Sequence, residues 1–185
     1  MPAFYLTFLA VLLSGIGARD QGTIAGLAQA QGRRPAVLFV AIAVGVVTAV
    51  LAAWAAHWML FHLPPPARAI FAAIALAMAG LESLVIVRRR APREPTNSLG
   101  ALAVVLLAAQ VTDAARFIVF ALGVGLAAPI VSGAAGALGA AILAGFAWAC
   151  PEAVTSPGAR WVRRTAGALL LLAATVTAFR QFDIL

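Results

Sequence analysis

Six long runs of apolar residues follow one another along the chain, separated by short segments rich in proline, glycine and arginine. Each run is long enough to form a membrane-spanning helix, which needs about 20 mainly apolar residues. The pattern therefore predicts an all-α integral membrane protein with about six transmembrane helices. The predicted spans are Phe4–Ala30, Pro35–Phe61, Ala67–Val87, Leu99–Ala127, Pro129–Cys150 and Trp161–Phe179.

The composition supports a lipid environment for these runs. Hydrophobic residues make up 64% of the 185 residues, and charged residues only 10%. Because a soluble domain usually has about a quarter of its residues charged, we expect the lipid bilayer to be the main partner of this chain. The segment from Met1 to Ala18 has no basic residue before its apolar part, unlike a cleaved signal peptide. We interpret it as part of the first span.

Basic residues of this chain are all arginines, and the net charge is +7. Nucleic-acid binding needs a basic patch on a soluble face, but these arginines lie between apolar runs, so nucleic acid is not an expected partner.

The arginines also predict the orientation of the chain, because cytoplasmic loops carry an excess of basic residues. Along one side of the membrane the loops and termini hold only Arg68 and Arg180, so this side, with both termini, is predicted to lie outside the cytoplasm of a bacterial-type inner membrane. The loops predicted to be cytoplasmic hold Arg33, Arg34, Arg88, Arg89, Arg90, Arg93, Arg160, Arg163 and Arg164.

The chain matches itself at an offset of about 94 residues. Pro35 then falls on Pro129, and the Trp54 segment Ala-Trp-Ala falls on the same three residues around Trp148. We infer two three-helix repeats, 1–92 and 93–185, within one membrane domain. Because three is odd, the second repeat enters the membrane from the opposite side, and a pseudo-twofold axis lies in the membrane plane. Inverted repeats of this kind are common in secondary transporters.

Charged and amide side chains stand in the middle of spans 1 and 4. A charge at mid-bilayer costs roughly 3 kcal/mol on insertion scales and usually faces a partner or a watery cavity. Since the two groups occupy equivalent repeat positions, we expect the spans to cross there, with Arg19 within reach of Asp113. Residues three apart share a face of a continuous helix, which predicts one polar stripe on span 4. The groups are Arg19, Asp20 and Gln21 in span 1, and Gln110, Thr112, Asp113 and Arg116 in span 4.

Both groups lie in segments that resemble a family motif. Span 1 reads Gly-Ile-Gly-Ala-Arg-Asp-Gln from Gly15, and span 4 reads Gln-Val-Thr-Asp-Ala-Ala-Arg from Gln110. The pair is similar to the twin motif E-x-G-D-(K/R)-(T/S) of the Golgi-type manganese/calcium–proton exchangers, a family of six-span, two-repeat cation transporters (calcium/cation antiporter type 2). The order of motif, Arg-Arg-Pro, second span, proline-rich turn and third span resembles that family as well.

This resemblance implies a transported divalent cation or proton, held by the acidic motif positions, and no resident cofactor. Asp113 is the one acid retained at those positions, so the resemblance implies it as the metal ligand or proton carrier. The other acidic positions hold Gly15, Ala18 and Gln110. The first motif is matched at its glycine, its basic residue and its trailing glutamine by Gly17, Arg19 and Gln21. In the second motif Thr112 replaces the glycine. Asp20 is an acid that the motif does not contain.

Three functions remain open from the sequence. The first is secondary transport of a cation through Asp113. The second is a non-transporting membrane protein, a pseudo-transporter or accessory subunit, whose Arg–Asp pairs are structural. The third is transport of another solute, such as an anion attracted to Arg19 and Arg116. Glu82 is interpreted as forming an interfacial pair with the arginine cluster that begins at Arg88. No catalytic or phosphate-binding motif is present, so enzyme activity is not expected, and the sequence does not specify an oligomeric state.

Overall fold

The computed structural model describes residues 2–85 and 98–182, and these residues are helical, without β-strands. They form nine helices. The helices are α1 (Pro2–Gly15), α2 (Arg19–Gln31), α3 (Pro35–His62), α4 (Pro65–Val85), α5 (Leu99–Val111), α6 (Ala114–Gly125), α7 (Pro129–Ala149), α8 (Pro151–Thr155) and α9 (Pro157–Gln181).

Four of these helices, α3, α4, α7 and α9, are each long and apolar enough to cross a membrane. The pairs α1–α2 and α5–α6 are bent by 57° and 51° at short breaks, and each pair is long and apolar enough to be one broken span. The described residues thus contain between four and six helices that could span a membrane. The predicted end of the third span at Val87, the repeat boundary at 92–93 and the Arg88–Arg93 cluster lie outside the described residues.

Helix ends follow the local sequence. Proline occupies the first turn of α3, α7, α8 and α9, where its missing N–H breaks no helical hydrogen bond. The hydroxyls of Ser98 and Ser156 cap α5 and α9 by accepting hydrogen bonds from backbone N–H groups at 3.3 and 3.2 Å. Gly32 ends α2 with a φ of 76°, which glycine adopts without the steric cost of a Cβ atom.

Two breaks interrupt the predicted spans 1 and 4. In the first, Gly17 has a φ of 78° and Ala18 is extended before α2 begins. In the second, Asp113 is extended and caps α6, with its Oδ2 accepting from the N–H of Ala115 at 3.4 Å. The prediction of a continuous helix in span 4 is therefore wrong. The single polar stripe through Gln110, Asp113 and Arg116 is wrong for the same reason.

Small residues bring the long helices close together. A Cβ atom at Gly167 of α9 would lie 3.0 Å from the carbonyl oxygen of Gly80 and 2.9 Å from the Cβ of Ser83, both in α4. Between α3 and α7, a Cβ at Gly133 would lie 2.6 Å from the Cβ of Ala53. Contacts of this kind are typical of helices packed in membranes, where small residues allow backbones to approach.

The outer surface is apolar and the interior contains charges. Large side chains such as Phe39, Phe61 and Ile130 are 72%, 75% and 79% exposed, whereas Arg116 and Arg163 are each only 5% exposed. A soluble protein rarely exposes contiguous apolar surface of this extent. The described residues are thus arranged as expected for a bundle whose outer face contacts lipid.

Candidate functional site

The two breaks lie against each other inside the bundle. Arg19, the first residue of α2, donates from Nη2 to Thr112 at the second break, at 2.9 Å to its Oγ1 and 3.2 Å to its carbonyl oxygen. From the second break, Gln110 donates from Nε2 to Oδ2 of Asp20 at 2.9 Å. Arg19 thus reaches the second break, and Gln110 beside that break reaches the first turn of α2, so spans 1 and 4 meet near their breaks as predicted.

An acid–arginine group lies beside these breaks. Glu82 of α4 and Arg163 of α9 form a buried ion pair through Oε2 and Nη2. The same Nη2 atom lies 3.7 Å from Oδ1 of Asp113, and Nε of Arg19 lies 3.6 Å from Oε1 of Glu82. Nη2 of Arg163 thus faces the carboxylates of Glu82 and Asp113. The carboxylate of Glu82 in turn faces the guanidinium groups of Arg163 and Arg19.

Arg116 of α6 forms its hydrogen bonds with neutral side chains. Its Nε donates to Oγ1 of Thr48 at 2.7 Å, and its Nη2 donates to Oε1 of Gln110 at 3.3 Å. The Thr48 hydroxyl also lies within donating distance of that amide oxygen, at 3.0 Å. Among the described residues Arg116 forms no ion pair, and its Nη1 has no hydrogen-bond partner.

Gln21 and the nearby glycines shape the first break. The Gln21 side chain accepts from the N–H of Gly17 at 2.7 Å and donates to the carbonyl oxygen of Leu143 at 3.2 Å. A Cβ atom at Gly15 would overlap the side chain of Leu143. In this structure Gly15 therefore permits close packing of α1 on α7, and Gly17 permits the turn.

The charges of the site balance. Its three acids are Asp20, Glu82 and Asp113, and its three guanidinium groups belong to Arg19, Arg116 and Arg163. Glu82, Asp113, Arg116 and Arg163 are each 5% exposed, whereas the Arg19 side chain is 27% exposed. Because an isolated buried charge is costly, this balance makes the burial of so many ionised groups tolerable. Along the described ranges 2–85 and 98–182, no three acid, histidine or cysteine side chains are grouped so that they could hold a metal ion.

Three sequence-based interpretations need correction. Arg19 faces Glu82 rather than Asp113, because the break after Thr112 places Asp113 at the start of α6, where Arg163 is its ion-pair partner. Glu82 belongs to this buried site instead of a separate interfacial pair, and Arg88 lies outside the described residues. Arg163, assigned to a cytoplasmic loop, is buried within α9. It therefore no longer contributes to the orientation count.

Sequence reasoning missed the roles of Thr48, Glu82 and Arg163. Thr48 is a single hydroxyl residue in the middle of the long apolar run of α3, which was an available signal. Arg163 lies four residues before Gly167 and so shares its helix face, the face that packs closely on α4. A basic residue on a glycine-bearing face is a signal of burial that counting charges by loop does not use.

Comparisons of the chain with protein-family models, with curated proteins and with solved structures found no match.

Proposed function

We propose that this chain is a multi-pass membrane protein built from two inverted repeats, with each bent helix pair forming one span. The two breaks support this, because 15–18 and 110–113 correspond at an offset of 95 and both bend their spans by more than 50°. We place the repeats at 1–92 and 93–185, the bounds predicted from the sequence.

Reciprocal contacts between the halves also support the repeat. Gln21 of the first half donates to the carbonyl oxygen of Leu143 in α7 at 3.2 Å, and Arg116 of the second half donates to Oγ1 of Thr48 in α3 at 2.7 Å. Gln21 and Arg116 correspond at an offset of 95, and α3 and α7 correspond at an offset of 94. Each of the two equivalent residues thus contacts the second span of the other half.

We further propose secondary transport of a cation, with the site at the junction of the two broken spans. The carrying observation is that both breaks meet at a buried, charge-balanced group of acids and arginines. Non-helical backbone and buried charges at membrane depth mark solute pathways in transporters, and discontinuous helices form the sites of many secondary transporters. The resemblance to the manganese/calcium–proton exchangers adds a cation as the expected solute.

Within this proposal Asp113 carries the cation or proton. Among the described residues, Oδ1 of Asp113 has no hydrogen-bond partner and faces Arg163 at 3.7 Å, and Arg163 has a closer partner in Glu82. A cation that binds Asp113 can therefore displace Arg163 without leaving that guanidinium unpaired. The equal number of arginines favours a proton or a monovalent cation over manganese or calcium, since hard dications prefer several carboxylate or carbonyl oxygens.

A specific observation favours one alternative, a non-transporting protein with structural ion pairs. Every carboxylate of the site already faces an arginine or an amide donor among the described residues. In that case Asp113→Asn should destabilise the protein, because it leaves one buried guanidinium in excess of the remaining acids. In the transport proposal, Asp113→Asn abolishes flux while the protein remains folded.

Ion flux in proteoliposomes tests the transport proposal. Purified protein is reconstituted and assayed for uptake of protons, sodium, potassium, manganese and calcium, each against protein-free liposomes. We expect flux of at least one cation above the protein-free rate. Correctly folded protein that moves none of them would contradict the proposal and leave the structural alternative.

A further inference from the structure

The break at the end of α5 frees a backbone carbonyl oxygen from its helical partner. In a continuous helix the N–H of Asp113 would donate to the carbonyl oxygen of Ala109, but here it donates to that of Gln110 at 3.1 Å. The last carbonyl groups of a helix have no partner within the helix, and the helix dipole favours a positive charge at this end. The C-terminal end of α5 is therefore suited to bind a cation.

Arg19 places a positive charge at this end of α5. Its Nη2 lies 3.4 Å from the carbonyl oxygen of Ala109, 3.2 Å from that of Thr112 and 2.9 Å from Oγ1 of Thr112. Its Nε faces Oε1 of Glu82 at 3.6 Å. Two carbonyl oxygens, a hydroxyl and a carboxylate thus surround one guanidinium group. Carbonyl oxygens of unwound segments and of helix C-terminal ends coordinate sodium in transporters with broken helices.

We propose that the guanidinium of Arg19 occupies a site for a monovalent cation and is a tethered substitute for that ion. The junction of the two breaks contains three acids and three arginines, so removal of Arg19 leaves one negative charge in excess. One sodium or potassium ion restores neutrality, whereas a dication would leave an excess of positive charge. Because Arg19 fills this position, the wild-type chain needs no metal ion there.

An ion can reach this position once the guanidinium is removed. The Arg19 side chain is 27% exposed, and Thr112 is exposed. Oε1 of Glu82 is buried with Nε of Arg19 lying against it, so truncation of Arg19 uncovers this oxygen. The proposal does not depend on transport through Asp113, because binding at this position is measured without flux.

Thermal unfolding of Arg19→Ala in a mild detergent tests the proposal. The Tm of this variant and of the wild type is measured in sodium, potassium and choline chloride at the same ionic strength, because choline is too large to fit among these oxygens. A ligand that binds only the folded state raises the Tm. We expect the gain in Tm from sodium or potassium over choline to be at least about 3 °C larger for Arg19→Ala than for the wild type.

The comparison with the wild type separates this site from Asp113, since a cation bound at Asp113 would raise the Tm of both proteins. An Arg19→Ala protein that gains no more than the wild type would overturn the proposal. If Arg19→Ala is unfolded in every salt, Arg19→Gln is measured in its place, because its amide group can still bond to Thr112. No added gain in Arg19→Gln would then overturn the proposal.

Three further variants locate the ion. Arg19→Lys retains a tethered cation, and Arg164→Ala removes an exposed arginine from α9, so both should respond to the salts as the wild type does. Arg19→Ala combined with Glu82→Gln removes the carboxylate and should lose the added gain in Tm. The same added gain in Arg164→Ala, or its persistence in the double variant, would contradict the assignment.

Discussion

The ion pair of Glu82 and Arg163 should make a large contribution to stability. Their side chains are only 4% and 6% exposed, and Glu82 also faces Arg19 at 3.6 Å. Glu82→Gln keeps the side-chain shape but gives the site a net positive charge. Breaking a buried pair from one side typically costs about 3–5 kcal/mol. We expect the lower end, about 3 kcal/mol, because Arg163 retains Asp113 at 3.7 Å.

Thermal unfolding in a mild detergent, followed by far-UV circular dichroism, measures this loss. For a chain of this length 1 kcal/mol shifts the Tm by about 2–4 °C, so the Tm of Glu82→Gln should fall by roughly 6–12 °C. Glu152→Gln is the matched control, because Glu152 is exposed in α8, and its Tm should remain that of the wild type.

A double variant separates lost charge balance from lost packing. Glu82→Met with Arg163→Met removes one charge of each sign, so the site is neutral again, and the apolar side chains fill much of the same volume. Replacement of both members of a buried pair by apolar residues is often neutral or stabilising. The double variant should therefore melt well above Glu82→Gln. A Glu82→Gln protein as stable as the wild type, or a double variant no better than the single one, would refute this reasoning.

Three further predictions follow from the packing, the polar network and the charge distribution. Gly167→Ala should lower the free energy of unfolding by about 1–3 kcal/mol, because its Cβ would press on the backbone of α4. Gly145 has open space around it, so Gly145→Ala should be neutral or slightly stabilising in the same melting assay. Thr48→Val should lower the free energy of unfolding by about 1–3 kcal/mol, because Nε of Arg116 loses its acceptor. Thr175 is exposed, so Thr175→Val serves as the control and should leave the Tm nearly unchanged. Both termini should be extracytoplasmic, so a reporter that requires the cytoplasm should be inactive when fused to the C-terminus, and an active one would reverse the predicted orientation.

The sequence predicts the helices more completely than it predicts the site. Prolines at positions such as 35, 129 and 157 mark where helices begin, because proline fits the first turn and not the interior. Arg19, Asp20 and Asp113 could be identified as site residues because charges in the middle of apolar runs are costly. Gly15 and Gly17 permit a local break in span 1 and are visible in the sequence, whereas span 4 has no glycine at its break and is predicted as one continuous helix. The break in span 4 then changes the neighbours of Asp113.

The sequence pattern does not predict that α4 and α9 each contribute a charged side chain to the site. Glu82 and Arg163 stand near the ends of their apolar runs, where charges usually face water or head groups. Only the close packing of the two helices at Gly80 and Gly167 brings these side chains inside. Pairing of residues 81 positions apart depends on tertiary contacts that hydrophobic periodicity does not encode.

Asp113→Asn tests the central claim, cation transport through the junction of the two breaks, most directly. Asparagine is as good a helix cap as aspartate, so the cap on α6 is retained while the charge is lost. Cation flux in proteoliposomes and the Tm are measured for this variant and for Glu152→Gln. We expect wild-type flux for Glu152→Gln and no flux above protein-free liposomes for a folded Asp113→Asn protein. A folded Asp113→Asn protein that transports at the wild-type rate would contradict it.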